Sequence, residues 1–203
     1  MSYTDLAEEK QLQKTIKSLE KNGVKVYIVA NKEEAKKTAL SLIPDGSDVM
    51  DNTSMTLEET GIKDAIYESK KYNAIHKQTL SMDRESEGRR IKELRSAPQI
   101  AIGSFHAVTE EGQIMIASNS GSQLPSYAYG SDSVIFVAGT QKIVTDLDDG
   151  MKRIYEHSLP LESERARKAY GVDGSIVRKI LIINSEGEPQ RISVILVKEI
   201  LGF

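Results

Sequence analysis

The sequence predicts an α/β fold, with a mainly parallel sheet flanked by helices and an antiparallel hairpin at the C-terminal end. Three observations predict it. After an opening helix, strand-like and helix-like segments alternate through residues 24–61, which is the order of βαβ units. Between Pro98 and Val144, apolar runs end repeatedly in clusters of Gly, Ser, Thr, Asn and Gln. Two β-rich runs, SIVRKILIIN and RISVILVKEIL, close the chain on either side of SEGEPQ and read as the hairpin. With no repeat and no low-complexity linker, residues 1–203 are expected to form one domain.

The elements follow in order. Residues 4–21 read as a helix capped by Thr4 or Asp5, with Leu12, Ile16 and Leu19 on one face. Asn22-Gly23 stops it, and VKVYIV at 24–29 is a buried strand. Asn31 with Glu34 resembles a capping box for a helix carrying Ala35, Ala39 and Leu42. SDVMD is a short strand, and NTSMTLEETGI turns into a helix for which Ser54 or Thr56 is the cap. Residues 62–97 read as mostly helical, and DRESEGRRIKELR as a solvated face. Strands are expected at about 99–103, 113–117 and 133–139. A helix over 146–157 has Asp146, Asp148 and Asp149 in its first turn and Lys152, Arg153 and His157 in its last, which suits the helix dipole. After Pro160, LESERARKAYG is a charged helix.

Composition removes several classes of function. The 203 residues include no cysteine, which excludes disulfides, thiolate metal sites, cysteine-ligated iron–sulfur clusters and cysteine nucleophiles. A net charge of −3 gives no broad basic surface for nucleic acid. No apolar run approaches the ~20 residues of a membrane-spanning helix. The polar, acidic start MSYTDLAEEKQ does not read as a secretory signal, so a cytoplasmic protein is expected. His76, His106 and His157 are scattered without metal-ligand spacing, and no metal site is expected.

The small polar clusters mark where a pocket should lie, because an α/β sheet binds ligands at its strand ends. SNSGSQLP at 118–125 is the leading candidate loop. Its small residues admit a ligand close to the backbone, and Ser120, Gly121, Ser122 and Gln123 offer donors to a carboxylate or phosphate. It has neither the glycine spacing of a dinucleotide fingerprint nor that of a phosphate loop. GSFHAVTEEG contributes Ser104 and His106, and His106 is the candidate for proton transfer because imidazole titrates near neutrality. Ser54 and Thr56 stand at a strand-to-helix junction, where helix capping is the simpler role. GTQKIV places Gln141 and Lys142 just past a buried strand, where the lysine would neutralise an anion or simply be solvated. Arg165 and Arg167 read mainly as solvated helix residues. No serine sits in a nucleophile elbow.

The runs GSFHAVTEEGQIMIASNSGSQLPSYAYG, VIFVAGTQKIV, DLDDGMKRI and ISVILVKEILGF resemble the lactate-utilisation (LUD) domain family, which includes lactate-utilisation protein C-like proteins. The likeness extends to IPDGSDVMDNTSMTLEETGI and YNAIHKQTLSMDR, and so covers nearly the whole chain. It implies a fold like that of glucosamine-6-phosphate isomerase, ribose-5-phosphate isomerase and the CoA transferases, and similarity to the 5-formyltetrahydrofolate cyclo-ligase arrangement. It also implies a part in oxidising lactate to pyruvate alongside iron–sulfur partner proteins. There are two departures. RKAYGVDGSIVRKILIIN lacks the cysteines some relatives carry there, and no motif identifies a CoA-transferase glutamate nucleophile. The expectation is a protein that binds a small anionic metabolite or cofactor at the strand ends, with no redox centre of its own. The alternative is a non-catalytic assembly or regulatory subunit of an oxidoreductase complex. An isomerase or ligase acting on a phosphorylated sugar or a folate rests on fold analogy alone.

Overall fold

In a computed structural model, which describes residues 2–203, two sheets share the core. The larger is built from β1 (Lys25–Val29), β2 (Asp48–Asp51), β3 (Asn73–Ala74), β4 (Ile100–Gly103), β7 (Ser133–Gly139) and β10 (Ile192–Val197). Its order is β1-β10-β7-β4-β2-β3, and every pairing is parallel. The α/β expectation, a mainly parallel sheet flanked by helices, holds.

The apolar runs of β7 and β10 explain why these strands are central. Successive side chains of a strand point to opposite faces. Val134, Phe136 and Ala138 join Val194 and Leu196 on one face, beneath Leu12 and Leu19 of α1 (Glu9–Lys21). Ile135 and Val137 join Ile195 and Val197 on the other, against Ala35 and Ala39 of α2 (Lys32–Ser41). A sheet covered on both faces calls for near-continuous apolar runs, and these strands carry them, broken only by Ser133 and Ser193.

The second sheet is β8-β5-β6-β9, from β5 (Ala107–Thr109), β6 (Ile114–Ser118), β8 (Ile143–Val144) and β9 (Lys179–Ile183). β5 and β6 form a tight antiparallel hairpin through Gly112, at φ 79°. A side chain at Gly112 would also strike the backbone of Ser18 and Leu19, so the turn docks on α1.

Several sequence expectations need correction. The closing β-rich runs do not pair with each other. β9 runs antiparallel to β6 in the second sheet, whereas β10 lies between β1 and β7 in the first. Their burial explains the separation: all of β10 is buried, but β9 is half exposed and suits a sheet edge. The link between them is pinned to the end of α1 by Glu186 N–H to Asn22 O and Gln190 N–H to Gly23 O. The opening helix begins at Glu9, because Ser2 to Asp5 close a turn of their own. Residues 62–97 break into α4 (Ile62–Glu68), β3, α5 (Ile75–Leu80) and α6 (Gly88–Ser96).

Ser54 caps α3 (Met55–Glu59) by accepting from Leu57 N–H, while Thr56 sits inside that helix. Asp146 caps α7 (Leu147–Lys152). That helix does not end near His157. It widens into a π-helical turn over Arg153–Ser158 and continues as α8 (Leu159–Tyr170). The wide turn lies just before Pro160, whose missing N–H cannot extend an ordinary helical ladder.

Candidate functional site

Parallel strands finish at one edge, so β2, β4 and β7 deliver their following loops to the same place. The end of β6 and the start of α8 complete a cleft of about 310 Å³. Ser54, Thr56, Ser104, His106, Ser120, Ser122, Gln123 and Lys142 all line it, so the separated polar turns of the sequence do converge. Gln141 does not face it. Its side chain is buried, and Nε2 donates to Leu201 O at 2.8 Å, tying the C-terminal residues to the sheet. Gly121 does not line the cleft either. It serves the loop's shape, at φ 83°, where a Cβ would meet the Lys179 side chain at 2.6 Å.

The 118–123 loop is largely satisfied within itself. Gly121 N–H donates to Ser118 Oγ at 2.8 Å and Ser122 N–H to Ser120 Oγ at 3.2 Å. Two of the amides expected to hold an anion are therefore already occupied, and Ser120 and Ser122 are exposed.

The positive charge sits deeper. Lys142 ends a short 3-10 turn after β7 and is only 3 % exposed. Its Nζ donates to Ser104 Oγ at 3.1 Å and Thr56 Oγ1 at 3.2 Å. Burial, with the Arg153 charge adding to it and Glu59 opposing, lowers its pKa to about 7. Arg153 does not line the cleft; it is fully buried, with its guanidinium 5.8 Å from the Tyr3 ring centroid. It donates to His106 O and to Ser158 Oγ, while Nε and Nη2 find no partner. Burial lowers its pKa to about 10. Among the described residues, no carboxylate lies within 4.0 Å of either cation. A buried charge without a counter-ion is costly, so this corner of the protein favours a visiting anion.

His106 is held by the same field. Its Nδ1 accepts Ala117 N–H at 3.1 Å, which leaves the ring proton on Nε2. Burial first, then Lys142 and Arg153, depress its pKa to about 3. At neutral pH it is a neutral donor.

Sequence reasoning missed His76 as a cleft residue. It lies on α5, and its Nδ1 is 3.2 Å from Asp51 Oδ2 at the end of β2. Asp51 is buried with Oδ1 unpartnered, and the unpartnered hydroxyl of Tyr67 is driven up by burial and by the Asp51 charge. Arg95 of α6 also lines the cleft, with Nε donating to Thr79 Oγ1 at 2.8 Å. Arg165 reaches the rim but is held by both oxygens of Glu162, at 2.7 Å each. Arg153 left no such local signal: Gly150, three residues before it, makes room for Met115 and Val144 of the second sheet rather than for the arginine.

An α/β sheet with a polar, cationic cleft at the carboxyl ends of its parallel strands defines the class. A LUD domain model matches residues 12–197, and the chain belongs to the LUD domain family. The crystal structure of a DUF162 family protein from Deinococcus radiodurans is similar in fold, with a TM-score of 0.59 at 11% identity, covering 95% of this chain and 99% of that one. No curated protein matches the chain.

Proposed function

We propose that the cleft binds a small anionic metabolite, with Lys142 as its charge partner. The supporting observation is Lys142, a buried cation in the cleft wall with no carboxylate within 4.0 Å among the described residues, backed by the charge of Arg153, which is buried outside the lining. Both pay a desolvation cost that an incoming carboxylate or phosphate offsets. Arg95 adds charge at the side, and His106 offers Nε2–H as a neutral donor. The polar loop at 118–123 shapes the entrance rather than supplying charge.

Membership of the LUD family favours a place for this ligand in lactate utilisation, in the cytoplasm. On this proposal the protein takes part in oxidising lactate to pyruvate. Electrons would pass to an iron–sulfur partner, since the chain has no cysteine to ligate such a cluster.

A thermal-shift panel of lactate, pyruvate, inorganic phosphate, CoA esters and folates tests the binding. At a tenfold excess over Kd a true ligand raises the Tm by about 3–6 °C for a chain of this size. A flat response across the panel removes the anion reading. Affinity capture from the native host tests the pathway: recovery of an iron–sulfur oxidoreductase supports it, and its absence counts against it.

A further inference from the structure

Lys142 has a second property, distinct from its charge. Its Nζ makes two hydrogen bonds, both as donor, to hydroxyls of Thr56 and Ser104. A neutral amine has two hydrogens and one lone pair. The two hydroxyls take both hydrogens and leave the lone pair free. An ammonium would carry a third hydrogen with no partner among the described residues. The site therefore accommodates the free amine without loss and the ammonium only at a cost.

The surroundings reinforce this. The side chain is 3 % exposed yet forms part of the cleft wall. Gly202, at φ 60°, passes so close that a Cβ there would stand 3.3 Å from Nζ and 2.5 Å from Thr56 Oγ1. The C-terminal residues thus cover the amine and Thr56 from one side. A desolvated lysine in the field of another cation, with no carboxylate within 4.0 Å among the described residues to hold its proton, is the environment that makes an amine nucleophilic near neutral pH.

We infer that Lys142 forms a Schiff base with a 2-oxo acid bound in the cleft. This rests on the anion reading and narrows it. The carboxylate answers the field of the buried cations, and the adjacent carbonyl is presented to the amine. Nζ bonds to the carbonyl carbon, and the carbon–oxygen bond breaks. The oxygen leaves as water with the two amine hydrogens, and the imine nitrogen takes one proton from solvent. No oxidant or reductant is required. The iminium keeps a positive charge where the ammonium would have been, so the carboxylate retains its partner. Ser104 and Thr56, each within hydrogen-bond distance of Nζ, are placed to carry the departing protons.

The experiment is trapping with pyruvate and sodium cyanoborohydride, followed by peptide mapping of the full chain. The expected result is a 1-carboxyethyl group on Lys142 at a stoichiometry at least tenfold above that of the exposed lysines. L-lactate, which lacks the carbonyl, should give none. Lys142→Gln should abolish that adduct without raising the others. If this variant fails to fold, the wild-type map alone decides, because surface lysines serve as internal references. Labelling spread over exposed lysines and absent from Lys142 overturns the inference. If any anion of the panel still raises the Tm in that case, the anion reading survives alone; if none does, both readings fail.

Discussion

Asp51 with His76 and Lys142 with Arg153 approach the same cleft from opposite electrostatic positions, each pair through the one residue that lines it, His76 and Lys142. The first cluster is a buried carboxylate that already has an imidazole at 3.2 Å. The second is a pair of buried cations whose polar contacts are hydroxyls and a carbonyl, with two guanidinium nitrogens left over. The first cluster gives one carboxylate oxygen a partner and leaves Asp51 Oδ1 open, whereas the second has no carboxylate within 4.0 Å of either cation among the described residues. A carboxylate with a partner inside the protein and a cation without one differ in this way, and burial alone does not distinguish them.

The sharpest way to break this contrast is Lys142→Met. Removing an uncompensated buried charge should leave the unliganded protein as stable as before, or more so, while binding suffers. Affinity for the strongest anion of the panel should drop by about 2 kcal/mol or more, roughly thirtyfold, by titration calorimetry. Wild-type affinity in this variant would mean that the cations of the second cluster do not hold the ligand.

The pH dependence is next. Lys142 has a folded pKa of about 7 against an ordinary 10.5, so between these values the unfolded chain binds more protons. Its contribution to stability therefore rises with pH over that window, by at most about 1.4 kcal/mol per pH unit. His106, at about 3 against 6.5, acts in the same direction lower down: its contribution falls as pH drops from 6.5 towards 3. The difference in Tm between wild type and Lys142→Met, followed from pH 7 to 9, isolates the lysine. It should shift in favour of wild type as pH rises. Saturating anion should flatten the trend, because a bound negative charge restores the ammonium. A pH-independent difference would place Lys142 in a far more hydrated setting.

Asp51→Asn probes the first cluster. It should destabilise the fold by about 1–3 kcal/mol in urea, since the carboxylate organises His76 and lies beside the Tyr67 hydroxyl. Anion affinity should stay within about threefold of wild type. A large loss of affinity with intact stability would reverse the roles of the two clusters.

What the sequence made legible follows the same division. β7 and β10 stood out because strands buried on both faces carry near-continuous apolar runs. The cleft stood out because parallel strands end together, and their loops must be small and polar to admit a ligand. His76 did not stand out. Its partner Asp51 is 25 residues away, and the two-residue strand β3 that helps bring them together leaves no periodic trace. Arg153 was hidden differently. Its position near a predicted helix end made it look like a dipole-matched surface cation, but the π-helical turn carries the helix onward and buries it. The closing strands misled for a third reason: adjacency in sequence suggested a hairpin, whereas their different burial assigns them to different sheets. Local pattern reveals elements and edges, and long-range charge pairing leaves no local pattern.

The smallest effect expected is at Arg165, which tests whether any cation on the cleft serves or only an unpaired one. Arg165 lines the cleft as Lys142 does, and its fixed charge is the more permanent. It differs in having both Glu162 oxygens at 2.7 Å and in a side chain 22% exposed. An anion approaching it meets a neutralised pair and water, and such pairs contribute little, about 0–1 kcal/mol. Arg165→Ala should therefore change urea stability by less than about 1 kcal/mol and anion affinity by less than about threefold. If it weakens binding as much as Lys142→Met does, cleft position alone decides which cations count. The ligand would then lie near the rim at α8, away from the buried corner where the unpaired charges lie.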